Sequence, residues 1–114
     1  MGKYFIGAET ARLKFPDGNW VDVKEELSQA DHDYVVNEMG RAEAVGKQAK
    51  FTMTLGKLAL LEKYVVAWSF KDEEDKPVPV SRETVSNLRQ KYRVKILEEI
   101  DRLSNKATEF VSKN

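Results

Sequence analysis

The densest apolar run in the chain lies at residues 57–70, Lys-Leu-Ala-Leu-Leu-Glu-Lys-Tyr-Val-Val-Ala-Trp-Ser-Phe, and ends abruptly at Lys71, Asp72, Glu73, Glu74 and Asp75. A block this apolar must sit at the centre of the core, because leaving it in water costs roughly 25 cal/mol per Å². The acidic run behind it, with Pro77, Val78 and Pro79, is expected to be a surface connection, after which the chain restarts at Ser81. The 114 residues, 41% of them hydrophobic, supply one modest core, so a single domain over residues 1–114 is expected.

Ahead of the block, residues 10–24 read as a β-hairpin. Leu13 and Phe15 alternate with Arg12 and Lys14, Val21 and Val23 alternate with Asp22 and Lys24, and Pro16, Asp17, Gly18 and Asn19 between them carry turn chemistry. Trp20 falls on the face opposite the valines, so it either packs along the hairpin edge or is offered to a partner. A lone hairpin is marginal in water, and residues 4–6 are the candidate third strand. A first helix is expected over about 28–44, with Ser28 as N-cap, Asp31 and Asp33 near its positive end, and Val35, Met39 and Ala42 at helical spacing. Gly46 is the expected stop.

The central block reads as a helix over about 54–70, with Leu58, Leu61, Val65 and Trp68 three or four residues apart. Residues 64–70 are also rich in β-branched and aromatic side chains, which leaves a strand open as the alternative for them. From Ser81 onward the helical period is plain: Val85, Leu88, Tyr92, Ile96, Ile100, Leu103, Ala107 and Phe110. Ser81 is the expected N-cap. A helix of this length outruns a small core, so it either bends near Tyr92 and Arg93 or projects its far end to bury the stripe against another chain, a second copy included. The fold class expected is α+β, with an N-terminal β-hairpin or small antiparallel sheet (1–26) on a mainly helical remainder (28–114).

Chemistry is sparse. No cysteine is present, so disulfides, thiolate catalysis and Cys-based zinc sites drop out, in keeping with a reducing cytoplasm. Lys plus Arg balance Asp plus Glu at 19 each, a neutrality that suggests neither nucleic acid nor an anionic membrane as partner. The N-terminal apolar run is too short for a signal peptide, and no run approaches the roughly 20 residues of a membrane span. His32, the single histidine, is expected to be a solvated side chain. The acidic run lacks the alternating ligands and glycine of an EF-hand loop, and Arg89, Lys91, Arg93 and Lys95 are dispersed around a helix instead of aligned. No cofactor, metal site or catalytic residue is expected.

Several segments together resemble the small tail assembly chaperones of long-tailed bacteriophages. They are residues 15–21 (Phe-Pro-Asp-Gly-Asn-Trp-Val), residues 64–70 (Tyr-Val-Val-Ala-Trp-Ser-Phe), the charged loop, Pro77-Val78-Pro79, and residues 81–85 (Ser-Arg-Glu-Thr-Val) opening the helical C-terminus. The resemblance implies a protein that is not an enzyme, binds the long helical tape measure protein in the host cell cytoplasm, and keeps it soluble while the tail tube polymerises. It also implies absence from the finished virion and, often, a frameshifted C-terminally extended form that helps recruit tail tube subunits. An amphipathic helix that lays its apolar stripe on a helical client suits such a role. The contact residues expected are Ile100, Leu103, Ala107 and Phe110, with Trp20 as an outlier, whereas Ile100 and Leu103 packed on the central helix is the competing reading. A structural head-to-tail joining protein is the alternative function, with a small DNA-binding regulator behind it.

Overall fold

Strict alternation on either side of a proline-glycine turn closes the first two strands, β1 (Thr10–Lys14) and β2 (Trp20–Lys24), into an antiparallel hairpin in which Leu13 faces Val21 and Ala11 faces Val23. The computed structural model describes residues 6–44 and 49–107. In the turn the Gly18 N–H donates to the Phe15 carbonyl at 3.1 Å and Gly18 holds φ at 92°, a left-handed conformation that L side chains resist. On the outer face Arg12 stands opposite Asp22, donates to it at 2.8 Å, and lays its guanidinium 3.7 Å from the centre of the Trp20 ring.

The third strand does not come from residues 4–6: Ile6 is irregular, and the other two lie outside the described residues. It is β3 (Val65–Trp68), cut from the central block. The helix expected to run on to residue 70 stops at Tyr64, and the strand alternative holds for residues 65–68. The reason is tertiary. β2 has a second edge of unpaired N–H and C=O groups, and Val65, Ala67 and Trp68 pair with it opposite Val23, Asp22 and Val21. Val66 is the extra residue of a bulge and is left 48% exposed. The sheet order is β1-β2-β3.

Four helices complete the α+β fold. α1 (Gln29–Ala44) begins where the Ser28 Oγ accepts the Asp31 N–H at 3.2 Å, as a serine N-cap should. Gly46, its expected stop, lies outside the described residues. α2 (Ala49–Tyr64) starts about five residues earlier than expected and packs along α1, so closely that a Cβ on Gly56 would stand 3.0 Å from Met39. α3 (Arg82–Asn87) opens on a capping box between Ser81 and Thr84.

One unbroken C-terminal helix is not what forms. The chain turns at Leu88, which is extended (φ −64°, ψ 138°), and restarts as α4 (Gln90–Ala107), four residues before the expected bend. No glycine or proline marks the site; the turn lets Val85 on α3, Leu88 in the turn itself, and Tyr92 and Ile96 on α4 reach the same core. Val21, Val23, Ala59, Val85 and Ile96 are essentially closed to solvent at its centre. The acidic run is a tight turn organised from within: Asp72 Oδ1 accepts the N–H groups of Glu74 and Lys76 at 2.8 and 3.0 Å, and Lys71 bridges to Pro77. Beyond it Trp68 Nε1 donates to the Val78 carbonyl at 2.6 Å, which pins the proline segment beside the sheet.

Gly18 has open space around its α-carbon, so Gly18→Ala isolates the backbone term. Denaturant titration should show a loss of about 1–2 kcal/mol. A second test uses pH. The Tyr92 hydroxyl donates to Asp17, and this hydrogen bond, with that from Asn19, holds the Asp17 carboxyl below its ordinary value of 3.8. A lowered folded pKa stabilises above the unfolded value and is lost as pH falls through the folded one. Asp17→Asn should therefore flatten the loss of melting temperature below about pH 4 and leave pH 6–8 unchanged in slope.

Candidate functional site

A helix advances about 100° per residue, which places two apolar stripes on α4. Tyr92, Ile96, Ile100 and Leu103 form the first and turn inward. Val94 and Leu97, with Gln90 and Arg93, form the second, about a third of a turn away. They face α2, and between the two helices runs a groove of about 430 Å³. Its floor is Leu58, Leu61, Val94 and Leu97, with Val94 42% exposed and Leu58 and Leu97 half-buried. Its polar rim is Ser86 from α3, Gln90 and Arg93 from α4, and Lys57 from α2. Both charged residues of the lining are positive. The Arg93 Nε is buried and finds no acceptor among the described residues, an arrangement worth about 1–3 kcal/mol of lost solvation.

The walls of the groove are held by a polar network on the side of α2 that meets α1. Glu38 of α1 is 9% exposed and accepts from Arg82 of α3 at 3.1 Å and from Arg41 at 3.1 Å. Arg82 also donates to the Tyr34 hydroxyl at 3.0 Å, and that hydroxyl donates to Glu62 of α2 at 2.7 Å. Three helices are thereby tied at one point. The Glu62 carboxylate raises the Tyr34 pKa above its ordinary value, and Glu38 raises that of Arg82, so the phenol and the guanidinium both stay protonated at neutral pH.

Of the expected contact residues, Trp20, Ile100 and Leu103 do not line this groove. Ile100 and Leu103 are 4% and 5% exposed and belong to the core, as the competing reading had it. The stripe there is covered by the protein itself. Phe110 and the side chain of Ala107 lie outside the described residues. Trp20 is half-buried under Arg12 on the outer sheet face, where it packs along the hairpin. His32 is exposed. Arg89 borders a cleft beside Trp68, Phe70 and Tyr92; Lys91 and Lys95 flank Phe15 and Tyr92; Arg93 alone of the four enters the groove. Leu58 and Leu61 read as core from their spacing, and Leu61 is core, yet both also floor the groove. Val94 and Leu97 were legible only as a second i, i+3 apolar pair on a helix whose stripe was already complete.

The hairpin turn, the residues around β3 and the start of α4 meet in space. Phe15, Trp68, Phe70 and Tyr92 form one aromatic cluster, with three edge-to-face contacts and a tilted one between Phe15 and Phe70, ring centres 4.9–6.1 Å apart. Trp20 and Ser69 exchange hydrogen bonds beside it, and the proline segment leans on Trp68. Among the described residues no cluster of three or more acidic or histidine side chains is placed to hold a metal ion, and no helix is long and apolar enough to cross a membrane. Comparison with protein-family models, with curated proteins and with solved structures gives no match.

The network sets the spacing of α2 and α3, and so the mouth of the groove. Arg82→Met should lower stability by about 1–2 kcal/mol, the modest end for a pair with one part-exposed partner. In a double-mutant cycle with Glu38→Gln the two losses should fall short of additivity, because each removes the same contact.

Proposed function

We infer that the protein is a tail assembly chaperone of a long-tailed bacteriophage: in the host cell cytoplasm it binds the tape measure protein and keeps it soluble until the tail tube closes around it. The observation that carries this reading is the groove between α2 and α4, an open apolar floor flanked by polar side chains. The resemblance carried by the hairpin turn, β3, the proline segment and the start of α3 supports it as well. The client is a long helical chain whose own apolar stripe aggregates when uncovered, and the groove takes a helix as helix-in-groove complexes do. No bond is made or broken. A few apolar side chains are shielded by each copy, and many copies along one client hold it by avidity.

Co-expression with the cognate tape measure protein tests this. The wild-type chain should keep the client in the soluble fraction and co-purify with it, and should be missing from finished particles. Val94→Glu, on the groove floor, should leave the protein folded by circular dichroism and let the client precipitate. Leu103→Asp, in the core, should unfold the protein itself. A client that stays equally soluble with wild type, Val94→Glu or no partner, or a chain retained in purified particles, overturns the reading.

A further inference from the structure

We propose that the groove between α2 and α4 selects an acidic helix: an amphipathic segment of the client whose apolar stripe is bordered by glutamate or aspartate. The proposal rests on the groove being the client site, and adds the chemistry of what fills it. Two observations carry it. The two charged residues of the lining, Lys57 and Arg93, are both cations on opposite walls, so a segment lying between them meets positive potential from both sides. The Arg93 Nε is buried with its proton directed at no acceptor among the described residues, although buried donors are nearly always satisfied. Part of the guanidinium's donor capacity is thus uncommitted within the described residues, and its fork suits a carboxylate from a docked helix better than any other side-chain acceptor. Apolar side chains of the same helix cover Val94, Leu97 and Leu58, which excludes water and strengthens the ion pair beside them. A basic helix meets like charge on both walls, and a neutral one leaves the Nε as it is.

Two synthetic peptides of about 21 residues, long enough to be helical, test this by fluorescence anisotropy with the full chain. They share one leucine stripe at three- and four-residue steps and differ only in carrying glutamate or glutamine beside it. The glutamate peptide should bind at least about tenfold more tightly. Its advantage should shrink between about 0.1 and 1 M salt, as the Debye length falls from about 10 to 3 Å. Arg93→Gln should bring the two peptides to within about twofold of each other. Its melting temperature should be no lower than wild type, because an unsatisfied donor has been removed; a merely structural arginine would lower it. Arg93→Lys should fall between, and Val94→Gln should weaken both peptides alike. Equal binding of the two peptides by the wild-type chain, or a preference that survives Arg93→Gln, overturns the acidic partner and leaves the groove as client site. Binding of neither peptide overturns the inference and the groove together, and client solubility in co-expression then decides separately on the chaperone role.

Discussion

The fold hangs on the joint between Tyr64 and Val65, where the last residue of α2 becomes the first of β3 with no loop between them. Both side chains are buried, at 4% and 5% exposure, and burial pushes the Tyr64 hydroxyl pKa up. Because helix and strand are continuous, the inner face of α2, with Ala59 and Leu61, runs into the inner face of the sheet, with Val21 and Val23, as one apolar surface. The hairpin alone would be marginal; β3 gives β2 its second neighbour and carries the helices with it. On the far side of β3 the aromatic cluster and the proline segment lock α4 to the hairpin turn through Phe15 and Tyr92.

What could be read from the sequence follows the range of the forces involved. The hairpin was legible because Pro16, Asp17 and Gly18 specify their own turn, and the caps at Ser28 and Ser81 because a hydroxyl and an amide three residues apart need nothing else. Residues 65–68 were ambiguous because Val, Val, Ala and Trp suit a helix stripe and a buried strand equally; the free edge of β2, some 40 residues earlier, settled the matter. The turn at Leu88 left no local trace. It exists because the stripes of α3 and α4 must both reach one core, a condition that no window of neighbouring residues contains.

The same limit applies to the site. Periodicity shows that one face of a helix is apolar and is silent on what covers it, so the most regular stripe, through Ile100 and Leu103, looked like the best binding surface and is the best core surface. A strong stripe in a small domain is claimed first by the domain itself, since nothing else holds its elements together. Surfaces free for a partner are then the weaker, interrupted ones. Val94 and Leu97 fit that description: two apolar residues between Gln90, Arg93 and Lys57, too few to drive folding, Val94 exposed and Leu97 only partly covered at the edge of the core.

A groove of this size, about 430 Å³, shields only a few side chains of a client. Under the chaperone reading that weakness is an advantage, because a client held at many shallow sites can be stripped from one copy at a time as the tube advances, whereas one deep site would have to open all at once. Arg93 fits the same logic. Leaving its Nε unsatisfied costs stability in the free protein, and a hydrophobic residue there would remove that cost while widening the floor. Under the same reading it would also make the groove indifferent to what fills it, and an indifferent apolar groove on a chaperone that lines one client in many copies would invite those copies to bind each other. A cation beside the floor opposes that, since another groove of like charge cannot supply a carboxylate and the proposed acidic helix can.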